Sequence, residues 1–252
     1  MKEIHSTKNQ FIKEIKKLQK RKYRELKQQY LIEGEHLLEE AIKAQAPIEW
    51  VLFSQKAFAE TNFSIPDDKT CLVTDEVLAS ISSVPTPQGI VAIVAMQAER
   101  KNQSFERPVL LLDNVQDPGN VGTMIRTADA AGFEAVILGD GSADIYNEKV
   151  LRAMQGSHFH ITIFRKELGE CMEELKEQEI SIVGTELNKQ AQHYDEITKM
   201  KRFALLMGNE GQGVQKELLQ QTTLTTYIPI YGSAESLNVA VAAGILMYSL
   251  KK

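Results

Sequence analysis

The sequence predicts an α/β protein in which a small α/β unit precedes a larger, mostly parallel sheet covered by helices on both faces. Three observations lead there. From residue 109 to residue 250, short continuous apolar runs alternate with helical patterns, as expected for strands buried on both sides. Three of the strand ends in this region run into loops packed with Gly, Asn and Glu, and strand-to-loop junctions are where open α/β folds place ligands. Between the two parts, residues 97–108 have the polar composition of a linker, so the predicted division is 1–96, 97–108 and 109–252.

The elements follow in order. Phe11, Ile15 and Leu18 recur at helical spacing among lysines and predict a basic amphipathic helix. Residues 31–33 read as a short strand, 35–44 as a helix stopped ahead of Pro47, and 48–54 as a strand with the single tryptophan, Trp50. Residues 71–74 read as a strand and 75–83 as a helix opened by Thr74 or Asp75. A Pro-x-Pro-x-Gly turn at 85–89 precedes an apolar strand at 90–95, which closes a unit with its own core. Beyond the linker, strands are predicted at 109–112, 135–138, 161–164, 181–185, 202–207 and 225–230. Helices are predicted at 121–131, 147–154, 167–177, 215–220 and 237–250. There is no internal repeat at a fixed period.

Composition narrows the function classes. Hydrophobic content of 43% with 25% charged residues is ordinary for a soluble globular protein. Cys71 and Cys171 lie far apart and form no CxxC or Cys/His cluster, so reduced thiols are expected over a disulfide or a zinc site. The first eight residues contain no apolar signal region, and the longest apolar stretch, 237–250, is too short and interrupted to span a bilayer. A cytoplasmic protein is expected. The net charge of −5 argues against indiscriminate nucleic-acid binding, yet the first thirty residues hold ten basic side chains against three acidic ones. Such a face either tracks phosphates or is a solvated lysine-rich helix surface.

The loops exclude the common phosphate sites. Gly208-Asn209-Glu210-Gly211-Gln212-Gly213 is not GxGxxG, and no Lys-Ser/Thr follows, so neither the dinucleotide fingerprint nor the P-loop fits. Its glycines allow a sharp turn or a close ligand approach. In Asn120-Val-Gly122-Thr-Met-Ile-Arg126, Asn120 is a suitable N-cap. Arg126, in a helix of small residues, wants an anionic partner, either a ligand or a structural acid such as Asp129. Asp113 and Asn114 are read as turn caps, and Ser236 and Asn238, in isolation, as caps of the last helix. His158 and His160 alternate with Phe159 and Ile161 as on a strand face, and His5, His36 and His193 lack metal-ligand spacing.

Taken together and in order, these stretches resemble the three motifs of the SpoU/TrmH family of RNA 2′-O-ribose methyltransferases, within the SPOUT superfamily. They are Asn120-x-Gly122-x-x-x-Arg126, then Met207-Gly208-Asn209-Glu210-Gly211-x-Gly213, then Ile228-Pro229-Ile230 through Ser236-Leu237-Asn238-Val239-Ala240. The resemblance spans residues 109–250. The N-terminal part resembles the smaller L30e/L7Ae-like α/β substrate-binding domain found in part of this family. The matching stretches are Ile4-His5-Ser6 with Asn9, Tyr30 through Leu37, and Thr86 through Val91.

The resemblance implies a SPOUT α/β knot, a trefoil-knotted and mostly parallel sheet, that binds S-adenosylmethionine (SAM) without a metal. It implies a homodimer with structured RNA lying across both subunits and with the basic helix as an RNA contact. By position, Thr185, Gly208, Ile228 and Leu237 would line the methyl-donor pocket, completed by Leu206, Met207, Asn209, Gly211 and Pro229. Arg126 would serve the ribose 2′-hydroxyl. Asn120 and Glu210 would orient Arg126 and the donor loop, and Ser236 and Asn238 would bond the substrate ribose or phosphate. The N-terminal domain favours ribosomal RNA, 23S in particular, over tRNA. A tRNA methyltransferase and a non-catalytic RNA-binding or ribosome-assembly factor are the alternatives.

Overall fold

The computed structural model describes residues 1–96, 104–188 and 190–252. The first seven residues of the expected linker, 97–103, lie outside the described residues. Two compact units form, Met1–Ala98 with Tyr146–Phe159, and Glu99–Ile145 with His160–Lys252.

The first unit contains β1 (Lys2–Ile4), α1 (Gln10–Lys17), α2 (Arg21–Lys27), β2 (Gln29–Glu33), α3 (Glu35–Lys43) and β3 (Ile48–Ser54). It continues with α4 (Gln55–Glu60), β4 (Thr70–Val73), α5 (Asp75–Ile81) and β5 (Ile90–Ala95). The five strands lie in the order β1-β4-β3-β5-β2, with β5 antiparallel to β2 and β3. Ile12, Ile15 and Leu18 pack with Val77, Leu78 and Ile81 of α5 over Leu52, Cys71, Val91 and Ile93. The single basic helix expected from the sequence is two. Lys20 is extended at φ −102°, and the buried Arg24 donates to the carbonyls of Leu18 and Gln19 at 2.9 Å each, satisfying acceptors that the end of α1 leaves open.

The second unit opens with β6 (Val109–Leu112), α6 (Pro118–Ala130) and β7 (Ala135–Leu138). The chain then returns to the first unit as α7 (Glu148–Met154), a helix the sequence division had placed in the second domain. Tyr146 at its start and His158 at its end both meet the ring of Tyr30, and the Tyr30 hydroxyl lies 3.1 Å from His158 Nε2. His158 thus sits in a short 3-10 turn at Ser157–Phe159, not on the strand face expected for it. Back in the second unit follow β8 (Thr162–Arg165), α8 (Leu168–Glu177), β9 (Ile182–Thr185), β10 (Gln192–His193), β11 (Ala204–Met207), α9 (Lys216–Leu219), β12 (Leu224–Tyr227) and α10 (Val239–Leu250).

These strands form one parallel sheet in the order β10-β12-β9-β11-β6-β7-β8. Val109, Leu111, Ala135, Ile137, Ala204 and Leu206 of its central strands join the α8 residues Leu168, Met172 and Leu175 in one buried core. Each of these side chains is at most 4% exposed, which accounts for strands written as unbroken apolar runs. Both cysteines are free and buried, and burial pushes the Cys171 thiol up to about 11. Among the described residues no helix is long and apolar enough to cross a membrane.

Candidate active site

The motif loops converge at the carboxyl edge of the parallel sheet, where β6, β9, β11 and β12 end side by side. α6 starts earlier than its apolar pattern indicates. Asp117, not Asn120, is its N-cap and accepts from the Asn120 backbone N–H at 2.8 Å, with Pro118 at the first helical position. The Asp-Pro pair is the sequence signal for this start. Asn120, relieved of capping, turns its carboxamide outward.

That carboxamide joins all three loops. Asn120 Nδ2 donates to Glu210 Oε1 at 3.1 Å, and Asn120 Oδ1 accepts from Asn238 Nδ2 at 2.9 Å. Asn238 Oδ1 meanwhile caps α10 through the backbone N–H groups of Ala240 and Val241, at 2.9 and 3.3 Å. The Glu210 carboxylate also accepts from the backbone N–H groups of Gln116 and Asp117, at 3.3 and 3.1 Å. Burial raises the carboxyl, but the Asn120 amide and these backbone donors outweigh it and hold Glu210 below the usual carboxylate range.

The glycine loop is fixed from beneath. Asp113, 1% exposed, accepts from Gln215 Nε2 at 2.6 Å and from its backbone N–H at 2.7 Å, fastening the end of β6 to the start of α9. Asn209 Nδ2 donates to the Asn114 carbonyl at 2.9 Å, while its Oδ1 accepts from Gly211 and Gln212 at 3.0 Å each. Asn114 itself occupies the left-handed region at φ 52°. A Cβ on Gly208 would fall 2.2 Å from the Gly213 carbonyl carbon and the Val214 nitrogen, so only glycine fits there. Sequence reasoning took Asp113 and Asn114 for local caps and missed both clasps, whose partners lie about a hundred residues away.

The expected donor-pocket residues surround this loop. Leu206 and Met207 are buried at the end of β11, beside Thr185, whose hydroxyl donates to the Leu206 carbonyl at 3.1 Å. Ile228 and Pro229 are half-buried past β12, and Leu237 is exposed just before α10. Above them the backbone is open. Nothing lies within 4 Å of where a Cβ on Gly213 or Gly232 would sit, and Gly211 meets only Asn209 Oδ1 at 3.7 Å. Aliphatic side chains beside accessible peptide groups suit a flat heterocycle, such as the adenine of SAM, held by backbone hydrogen bonds.

Arg126 and Ser236 stand apart from the hydrogen-bonded chain. Arg126 is exposed and makes no hydrogen bond or ion pair with a described residue. The structural acid weighed for it, Asp129, faces His160 instead, at 3.3 Å. Arg126 lies six positions after Asn120, about 9 Å along the helix axis, and no hydrogen bond among the described residues joins it to Asn120 or Glu210. Ser236 is exposed on the loop ahead of Asn238. Among the described residues, His36, Glu39 and Glu40 have ligand atoms within 4.8 Å of one another, but both carboxylates pair with Lys43, at 3.0 and 3.1 Å.

With this geometry in hand, residues 107–248 match the SpoU rRNA Methylase family, and residues 9–92 match the MRM3-like substrate binding domain. The 23S rRNA (guanosine(2553)-2′-O)-methyltransferase RlmP of Bacillus subtilis is 46% identical over the full length of both chains. The AdoMet-bound rRNA methyltransferase from Sinorhizobium meliloti is 30% identical with a TM-score of 0.85, over 99% of this chain and 97% of its own. A crystallised RNA 2′-O ribose methyltransferase superposes with a TM-score of 0.83 at 30% identity, over 98% of this chain and 97% of its own. Motifs, sheet and both domain matches agree: the chain belongs to the SpoU rRNA methylase family.

Proposed function

We propose that this chain transfers the methyl group of SAM to the ribose 2′-hydroxyl of a guanosine in 23S ribosomal RNA, the one corresponding to the position for which the B. subtilis relative is named. The observation that carries the reading is the chain Glu210–Asn120–Asn238, which ties all three motif loops together beside an open glycine backbone.

SAM supplies an electrophilic methyl on a sulfonium, so the chain's task is to align the 2′-hydroxyl and raise its nucleophilicity. Thr185, Leu206, Met207, Gly208, Asn209, Gly211, Ile228, Pro229 and Leu237 form the donor pocket. A guanidinium is a poor proton acceptor, so the role assigned to Arg126 is electrostatic. Its free, exposed cation holds the target phosphate and stabilises the developing alkoxide, while a phosphate oxygen or water takes the hydroxyl proton. The O–C bond forms as the C–S bond breaks, and no metal is required. Asn120, Glu210 and Asn238 hold the loops, and Ser236 bonds the ribose or phosphate.

The RNA is held in part by the first unit. Glu14 pairs with both Lys17 and Lys27, at 2.6 and 2.7 Å, and Glu25 pairs with Arg21 at 2.7 Å. Lys8, Lys13, Lys20 and Lys22 are exposed and available to phosphates. The active form is a cytoplasmic homodimer with a trefoil-knotted catalytic domain. The dimer is supported by Val241 and Tyr248, which leave 52% and 60% of their surface exposed on an otherwise apolar α10.

The test is ribose-methylation mapping in RNA from cells with and without the gene, together with tritium transfer from SAM to unmodified 23S rRNA. Loss of one 2′-O-methylguanosine in 23S rRNA, restored by the purified protein, is expected. A mark lost from tRNA would move the target there, and unchanged marks with no transfer would leave a non-catalytic RNA-binding factor.

A further inference from the structure

The segment from Ile228 to Asn238 has a course fixed at both ends. It leaves β12, and Asn238 is bonded to Asn120 just past the end of β6. β9 and β11 lie between those two strands, so the segment crosses about 14 Å of the sheet's carboxyl edge, over the ends of the strands that carry Thr185 and Gly208. Residues 230–238 are all exposed along this crossing. In their midst stands Tyr231, with 90% of its surface in solvent, the most exposed of the large hydrophobic side chains among the described residues.

A tyrosine ring so placed has no role in the fold. It does not line the donor pocket, whose side chains Leu206, Met207, Ile228 and Pro229 are buried or half-buried below it. At 90% exposure its ring is open to a partner from solution. A ribose hydroxyl presented to a donor at this depth belongs to a nucleotide drawn out of its neighbours' stack, and proteins replace that lost stacking with an aromatic face. We propose that Tyr231 is the stacking platform for the nucleobase of the target nucleotide, holding the base outside the strap so that its ribose faces the donor. This rests on the reading of the chain as an RNA ribose methyltransferase.

Tyr231→Ala tests it in the full-length protein with unmodified 23S rRNA as substrate. The expected result is a rise in the RNA KM of about tenfold or more, the worth of one base stack, with SAM affinity unchanged. Tyr231→Phe and Tyr231→Trp are expected to restore the KM, because stacking needs the ring and not the hydroxyl. A 2-aminopurine placed at the target position of an RNA fragment should lose fluorescence on binding wild-type protein and keep it on binding Tyr231→Ala. A wild-type RNA KM in Tyr231→Ala overturns the inference. So does a loss of SAM binding, which would put the ring on the donor, or dissociation into monomers, which would put it on a second copy. Failure of the wild-type protein to methylate any RNA would instead sink the parent reading.

Discussion

Asn238 donates to Asn120 at 2.9 Å from 118 positions away, and the same Asn120 side chain donates to Glu210 at 3.1 Å. One carboxamide therefore satisfies an acceptor in the glycine loop and a donor at the head of α10. Asn120→Ala removes both bonds and leaves Glu210 and Asn238 short of a partner. We expect methyl transfer to fall about 10²-fold, the scale for a lost preorganising group. Stability should fall by about 1 kcal/mol. A double-mutant cycle with Asn238→Ala should return a coupling of at least about 0.5 kcal/mol; strict additivity would show the two residues to be independent.

How much of this was legible in the sequence depends on where each element gets its stability. The strands at 109–112 and 135–138 were read to the residue because both faces are buried and every position must be apolar. β1 and β10 escaped notice because their few, largely polar residues are strands only by pairing with β4 and β12. The basic helix was read as one because its apolar spacing says nothing of Arg24, whose guanidinium turns inward to close α1. The glycine loops marked the candidate site, but their convergence depends on contacts 90 and 118 positions apart that no local pattern encodes. Family motifs, not periodicity, grouped those residues. Arg126 was expected to meet an anion, either a ligand or an acid such as Asp129; Asp129 faces His160 instead, and Arg126 is exposed.

Arg126→Ala should leave SAM affinity, read by calorimetry, within about twofold of wild type, while methyl transfer falls by about 10² or more. Arg126→Lys keeps the charge but loses the planar fork and should recover only part of the rate. Full activity in the alanine variant on unmodified 23S rRNA would remove Arg126 from the reaction.

Gly208→Ala places a methyl 2.2 Å from backbone atoms of Gly213 and Val214, which no side-chain rotation relieves. The loop must shift, at a cost of about 1–3 kcal/mol or more, read as a drop in unfolding midpoint. Because the same loop borders the proposed donor pocket, SAM binding should weaken with it. Gly211→Ala, whose Cβ meets only Asn209 Oδ1 at 3.7 Å, should fold normally and separate pocket effects from folding effects.

Glu210 ties its loop to pH. Its carboxyl is held below the ordinary value of 4.5, so the folded state binds a proton there less readily than the unfolded chain. The stabilisation is therefore complete above the unfolded value and disappears as pH falls through the folded one. Denaturant unfolding of wild type and Glu210→Gln from pH 7 down to pH 3 should give a constant difference above about pH 5 and a narrowing one below it. A difference that widened on acidification would reverse the assignment.

The basic face of the first unit makes the last prediction. Glu14 sits between Lys17 and Lys27, which hold its carboxyl down to about 2, and those two lysines are thereby occupied at neutral pH. Lys13, Lys20 and Lys22 have no such partner among the described residues and are exposed on or beside α1 and α2. Each phosphate contact adds about 0.7–0.9 to the slope of log affinity against log salt. Replacing the three lysines by glutamine should therefore weaken RNA binding at low salt and flatten that slope by about 2. Lys17→Gln should change the slope less, because Glu14 already engages that ammonium. Transfer to a saturating concentration of RNA should stay near wild type, since Arg126 and the residues proposed for the donor pocket belong to the second unit. An unchanged slope in the triple variant, with wild-type affinity across the salt series, would show that phosphates do not follow this face.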